Sequence, residues 1–443
     1  MKKTSLIFRH AALIAPEADT PLVRRPHTFQ ALRHRNYRLL WISLIISSVG
    51  TWMQIVAQSL LVLKITHGSA LALGSVSLAQ ALSFFLFALI GGGIADRIDK
   101  RRFLLLTQSL SMLLAFVLGI LTITGVISVG MIILLAFCSG TILSFDQPTR
   151  SSLVPVLVPK EDLMNAISLQ AIVFNGASVI GPALGGVTIG ALAYAARQMG
   201  ITNPLSGFAG NFFLNGISFL GVLGVLFVLR VPPEQAAESR EKRGPILASI
   251  KASLVTVGRD PALPWVLSGY GALLFFGPST SLILPYFSTQ ILHLSDVQLG
   301  LLFSAAGLGT ILGALLVASL GDFRHKGYLL LISFLIWCAA LFIFALSQLF
   351  WLSLFALLLF GVAQNGVGAT TITLLQTRVP PQMRGRVMSL NTLFIMGVRP
   401  LGDFPAGGLI ALMGGPLTVL LCTSLVGIYS LYLLVGRPVI RSL

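Results

Sequence analysis

Twelve stretches of the chain are apolar for roughly 20 residues or more, which is about one bilayer crossing each. They run near 37–63, 70–94, 103–124, 129–149, 164–195, 208–229, 263–289, 297–320, 328–345, 349–375, 387–413 and 417–436. A helix satisfies its own backbone hydrogen bonds in hydrocarbon, so the expected fold is an all-α membrane protein. The spans also repeat. Val158-Pro159 is followed nine residues after the proline by Ser168-Leu169-Gln170, and Val379-Pro380 at the same spacing by Ser389-Leu390-Asn391. The offset is 221 residues, half of the 443-residue chain, and Gly181 and Gly186 recur at it as Gly402 and Gly407. Two similar six-helix bundles related by a pseudo-two-fold axis along the membrane normal are the architecture of a transporter that rocks one half against the other.

Charge supports the same picture. Only 10% of residues are charged, against about 25% in a soluble protein. Cys138, Cys338 and Cys422 lie inside apolar spans and read as core residues. The net charge of +16 would suggest nucleic acid in a soluble chain. Here 27 of the 30 Lys and Arg fall before the first span, after the last, or in the even-numbered connections; only Lys64 and Arg197 fall in the odd ones, and Arg399 lies within span eleven. This asymmetry predicts an inner-membrane protein with both termini cytoplasmic, its basic face against anionic lipid, and no nucleic-acid partner. No apolar core with a cleavage site precedes span one, so no cleaved signal peptide is expected.

The division is then a cytoplasmic tail (1–36), a first bundle (37–230), a cytoplasmic linker (231–262), a second bundle (263–436) and a short tail (437–443). In the linker Ile246, Leu247, Ile250, Leu254 and Val257 recur at helical spacing beside Lys251 and Arg259, the pattern of an interfacial helix.

After span two comes Gly92-Gly93-Ile94-Ala95-Asp96-Arg97-Ile98-Asp99-Lys100-Arg101-Arg102. Gly92 allows close helix approach, Asp96 suits a neighbouring helix N-terminus, and the basic residues meet lipid phosphate or a facing carboxylate. The stretch resembles the G-x-x-x-D-R-x-x-R-[KR] loop of the major facilitator superfamily. Asp99 stands where the superfamily has a second glycine, which resembles the subgroup of bacterial exporters related to the enterobactin exporter. A degraded copy, Gly321-Asp322-Phe323-Arg324-His325-Lys326, follows span eight, with Asp96 and Asp322 226 apart. Span five carries Gly181-Pro182-Ala183-Leu184-Gly185-Gly186, similar to the G-P-x-x-G-G motif of drug–proton exporters, although close packing alone also calls for small residues there. Phe145-Asp146-Gln147-Pro148-Thr149-Arg150 and Arg384-Gly385-Arg386-Val387-Met388-Ser389-Leu390 extend the resemblance, which runs from about Phe29 to Val435. It implies efflux of siderophores, macrolides or other lipophilic compounds against proton entry, by a monomer.

Charges inside the membrane are costly, about 2.5–3.5 kcal/mol at a helix centre, and therefore informative. Arg399 and Asp403 are four apart on one helical face. They form either a self-neutralised structural pair or a carboxylate that the arginine keeps ionised until substrate or water disturbs it. Asp146, at the inner end of span four, is expected to latch to Lys100 or Arg101 when the inner side closes, with Asp96 and Arg97 in the same gate. Gln54 and Gln58 in span one and Gln364 and Asn365 in span ten could meet substrate or bond between helices, whereas Asn211 and Asn215 suit packing. Tyr270, Phe275, Phe276 and Tyr286 surround Pro278 and Pro285 and suit packing or an aromatic wall.

No P-loop, catalytic constellation or metal-ligand spacing is visible, and His10, His27, His34, His67, His293 and His325 fall in tails and loops. Neither an enzyme nor a cofactor-binding protein is expected. The rivals to export are import or uniport on the same fold and a non-transporting membrane enzyme or scaffold.

Overall fold

The computed structural model describes residues 29–95, 99–229, 254–321, 323–380, 383–384, 387–388, 391–392, 394–441 and 443, with the side chains of 88–95 left aside. Every regular element among them is helical. The first half is α1 (Arg35–Ile65), α2 (Ala70–Ala95), α3 (Lys100–Ile123), α4 (Val129–Leu157), α5 (Leu163–Gln198) and α6 (Ser206–Val228). The second is α7 (Leu263–Phe276), α8 (Thr280–Gln290), α9 (Asp296–Ser319), α10 (Lys326–Leu346), α11 (Phe350–Arg378), α12 (Arg399–Met413) and α13 (Gly415–Gly436), followed by one turn, α14 (Pro438–Arg441). Eleven stretches are long and apolar enough to cross a membrane, α7 and α8 counting together as one. The twelfth crossing is α12 with the π-helical turn Phe394–Val398 that leads into it.

Local chemistry sets the helix ends. Asp99, the departure from glycine in the loop motif, caps α3: its carboxylate accepts from the Arg102 amide at 3.1 Å. Ser128 caps α4, and Ser295 with Gln298 forms a capping box on α9. Two expectations need correction. Span four does not stop near 149: α4 continues through Pro148 and Pro155 to Leu157, because prolines inside a membrane helix are tolerated when neighbours satisfy the freed carbonyls. Span seven is not one helix. It breaks at Gly277-Pro278-Ser279, where Gly277 is extended (φ −83°, ψ 99°) and Pro278 brings no amide proton. Of the linker helix, residues up to 253 lie outside the described part; 254–259 are helical, with Val257 buried.

Within the first half α2 packs on α4, α3 on α6, and α1 on α5 and α6; in the second, α9 packs on α11, α10 on α11 and α13. The halves meet along two seams, α5 on α9 and α2 on α12, joined by contacts of α8 with α1 and α2. The seams are related by the repeat. A Cβ on Gly181 would lie 2.5 Å from Trp52 Cβ of α1, and its mate Gly402 is pressed against the Phe275 carbonyl of α7. Gly186 abuts the Asp296 carbonyl at the start of α9; its mate Gly407 abuts the Ala70 carbonyl at the start of α2. Gly300 meets Pro182 as Gly74 meets Asp403, with 226 residues between the glycines and 221 between their partners. Even the backbone repeats: His67 and His293, 226 apart, are both left-handed (φ 53° and 48°).

These cross-half contacts lie in the middle of the helices and toward the end that carries Lys64 and Arg197, the charge-poor end. There Gly68, between α1 and α2, faces the Gln290 side chain at the end of α8. This end of the molecule is closed.

Candidate functional site

The deepest charge sits where the broken span meets the seam. The π turn Phe394–Val398 inserts an extra residue into the winding just before Arg399. One turn later Asp403 lies on α12, 3% exposed. Its Oδ1 accepts a 2.8 Å hydrogen bond from the backbone amide of Ser279, the residue that caps α8. A helix N-terminus carries partial positive charge, so the break in span seven supplies an anion partner inside the membrane. Asp403 is thus not neutralised by an ion pair with Arg399: among the described residues no salt bridge joins them. The Arg399 Nε is buried without a hydrogen-bond partner, as is the Ser279 Oγ. The helical spacing was right, but the amide at the break takes the carboxylate.

Neighbours hold the break in place. Trp337 of α10, fully buried, packs its indole against Gly277, where a Cβ would lie 2.6 Å from Cη2. Its Nε1 donates to the Oε1 of Gln364 on α11 at 2.8 Å. On the other side Gly402 of α12 lies against the Phe275 carbonyl. Phe275 and Phe276, each more than a third exposed, pack edge to face at 5.1 Å.

The uncharged polar candidates do not converge. Gln54 accepts from the Asn215 Nδ2 of α6 at 2.7 Å, and Gln58 is half-buried one turn on. Gln364 is turned to Trp337, while Asn365 lies near Gly313 of α9 with a buried, unpaired Oδ1. Gln54 and Gln364 are each turned into their own half. Asn211 accepts from the Thr188 hydroxyl at 3.0 Å, between α5 and α6.

Asp146 is the second buried carboxylate, 5% exposed. The longer α4 places it eleven residues from the helix end, or about 16 Å of helix rise. The expected partners are not its partners here. It accepts from the Thr107 hydroxyl at 2.8 Å, from Gln108 Nε2 at 2.7 Å, and from Arg150 on its own helix at 2.5 Å. Lys100 donates to the Ser152 carbonyl, and Arg101 to the carbonyls of Leu226 and Phe227 at the end of α6. Asp96, Arg97 and Asp322 lie outside the described residues, and of Gly92 only the helical backbone is described.

In the span-five motif, Gly181 and Gly185 face α1, whereas Gly186 and the backbone of Pro182 face α9. Pro182 brings no amide to the Ser178 carbonyl one turn back. The Ser304 hydroxyl of α9 donates to the adjacent carbonyl, Val179 O, at 2.5 Å.

Sequence reasoning missed the Ser279 amide and the Thr107–Gln108–Arg150 cradle. A Gly-Pro-Ser run in the middle of an apolar span was the available signal for the first. For the second, Arg150 four residues after Asp146 on one helix was a signal, whereas the contacts of Thr107 and Gln108 on α3 leave none in one sequence.

Comparisons with known proteins agree with this fold. Residues 27–437 match the family described as transmembrane secretion effectors. The enterobactin exporter EntS of Citrobacter koseri is 27% identical over 381 residues, covering 86% of each protein. EntS of Salmonella typhimurium is 25% identical over 380 residues, covering 86% of this chain and 87% of that protein. Among solved structures, a bacterial homologue of the human lysosomal transporter Spinster, inward-facing and occupied, superposes with a TM-score of 0.73 at 16% identity, covering 92% of this chain and 98% of the other. A bacterial homologue of the iron transporter ferroportin, inward-facing, gives 0.65 at 18% identity, covering 90% and 98%. The chain is therefore a multi-span integral membrane protein of the transmembrane secretion effector family, with the fold of the major facilitator superfamily, and it is a transporter rather than an enzyme.

Proposed function

We propose that the protein exports small amphipathic or lipophilic compounds, of the siderophore, macrolide or drug class, in exchange for protons. The observation that carries the reading is Asp403: a carboxylate buried where α12, α2 and the break between α7 and α8 meet. A carboxylate so placed changes charge at the seam along which the halves must move. One proton crossing 100 mV supplies about 2.3 kcal/mol before any pH gradient. The resemblance to exporters, EntS among them, supports the direction and the substrate class. The 27-to-2 charge distribution supports a topology with both termini in the cytoplasm. On that topology the closed, charge-poor end faces outward, and the molecule is closed to the outside.

The test is transport by purified protein in vesicles with an imposed pH gradient, screened over dyes, macrolides and siderophores. Uphill movement of compound against proton entry is expected, abolished in Asp403→Asn with downhill exchange spared. Accumulation that ignores the gradient, or follows proton movement in the same direction, would replace exchange by uniport or symport.

A further inference from the structure

The half of span seven beyond the break has a task of its own. Helix α8 belongs to the second half, yet it contacts α1 and α2 of the first, and Gly68 faces its last residue, Gln290. It is the second half's share of the closure at the charge-poor end. Its other end is held across the seam by the hydrogen bond from the Ser279 amide to Asp403. Gly277 and Pro278 leave α7 and α8 free to change angle, since no helical hydrogen bond to Pro278 ties them. The repeat makes the point sharper. In the first half the equivalent helix, α1, runs unbroken for 31 residues, and the position equivalent to Asp403 is Pro182. The break and the carboxylate occur together in one half, and neither has a counterpart in the other.

We propose that ionised Asp403 is the clasp that holds α8 in the closed position, so that the empty carrier stays shut toward the charge-poor side. Taking up a proton removes the negative charge that the α8 N-terminus stabilises; the clasp weakens, and α8 swings with the halves. Transported compound is then the alternative way to release it. This rests on the exchange reading above and explains how such a carrier avoids moving when it holds neither proton nor compound. The charges facing Asp403 are few. Arg399 is on its own helix, and the Tyr270 phenol of α7 lies within reach of Arg399's charge. Neither α8 nor α2 from Ala70 to Phe87 carries an Asp, Glu, Lys, Arg or His.

The backbone donor can be deleted without touching the carboxylate. Ser279 has φ −67°, which proline adopts, so Ser279→Pro removes the amide proton and the hydroxyl and sets a ring carbon where the proton met Asp403, which abolishes the bond. Ser279→Ala removes the hydroxyl alone, which lies near the Asp403 carboxylate but makes no hydrogen bond of ordinary geometry. Spin labels are placed at Met199 and Trp351, each more than three-quarters exposed at the charge-poor end of opposite halves, with Cys138 replaced. Distances are read by pulsed electron resonance in lipid nanodiscs at pH 8. Asp403→Asn and Ser279→Pro are expected to raise the ratio of open to closed forms by about 5- to 150-fold, the span of ordinary coupling energies. Ser279→Ala, which keeps the amide, is expected to shift the ratio less than either. Opening in Asp403→Asn but not in Ser279→Pro overturns the clasp, because the amide would then be irrelevant. Equal opening in Ser279→Ala overturns it too, since packing at the break would be the cause. Melting temperatures of all variants separate opening from unfolding; should Ser279→Pro not fold, Asp403→Asn with unchanged distances overturns the proposal alone. If the native protein shows no proton-driven flux while the labels move as stated, the exchange reading falls and the clasp stands.

Discussion

Replacing Gly300 by alanine should open the molecule rather than unfold it. A Cβ there would lie 2.6 Å from the Pro182 carbonyl oxygen and 3.0 Å from the Ala183 Cα, where ordinary contact begins at 3.4 Å. Both obstacles are backbone of α5, so no side chain can turn aside, and the seam must part by about 0.8 Å. Overpacking of this kind costs about 1–3 kcal/mol. Because α5 and α9 belong to different halves, the strain exists only in the form closed at the charge-poor end. The ratio of open to closed forms should therefore rise by about 5- to 150-fold. Gly74→Ala should act alike, since its Cβ would meet the Asp403 carbonyl at 2.7 Å across the other seam. Gly181→Ala is the counter-case: its obstacles, Trp52 Cβ at 2.5 Å and the Val49 carbonyl at 2.9 Å, lie within its own half. It should lower the melting temperature and leave the conformational ratio alone. Distances between labels at Met199 and Trp351, with melting curves for the same samples, check all three. A Gly300→Ala protein that melts earlier and keeps the native distances would refute the reasoning, because the seam would then be part of a single rigid core.

Further outcomes follow from the charged groups. Asp146→Asn leaves the Arg150 guanidinium beside Thr107 and Gln108 without its carboxylate; a loss of about 3 kcal/mol is expected in thermal unfolding, the lower end for a broken buried pair since Arg150 is about a quarter exposed. Asp260 accepts from the Ala262 and Leu263 amides and from Arg378. Burial alone would raise its carboxyl, but these donors outweigh it and hold the group below the ordinary value of 3.8. Its contribution is thus complete above that pH and fades as the pH falls through the lower folded value. Asp260→Asn keeps an oxygen for the two amides and loses only the charge toward Arg378, so it should cost less than about 1 kcal/mol near neutrality, because Arg378 is a third exposed. The difference between the two melting curves should hold down to the ordinary carboxyl value and shrink only as the pH falls below it, through the lower folded one. Reporter fusions at Thr202 and Leu443 should read outside and inside; a cytoplasmic Thr202 would overturn the topology drawn from charge.

Much of the fold was legible because the bilayer imposes length and polarity on each span independently of its neighbours. Ten of the twelve expected spans differ from the helices by a few residues at most, or continue into them. The exceptions have one origin. In α4 the expected end near 149 fell short, because a membrane helix continues through proline where its surroundings satisfy the freed carbonyl. In span seven, Pro278 does break the helix, and the difference is Gly277 before it and Asp403 waiting across the seam. A single sequence shows the prolines alike; the third helix that decides between them is more than 100 residues away. The same limit applies to the site. The depth and isolation of Asp403 could be read from hydropathy, and its spacing from Arg399 by counting. Its partner, a main-chain amide, has no residue type to recognise. The contacts of Thr107 and Gln108 with Asp146 arise from the packing of α3 on α4, which spacing along one helix cannot report.

The equivalence of Asp403 with Pro182 bears on how such a chain could be rebuilt. A tandem duplication of residues 29–229 would inherit both glycine seams, since each half supplies one helix to each. It would have two unbroken first helices and two prolines, a molecule able to close and with nothing at the interface whose charge can change. A duplication of the second half would carry two carboxylates and two interrupted spans. The present chain stands between these two symmetric designs: one half carries the interrupted span and the buried carboxylate, the other carries neither, and both present the same contact surface.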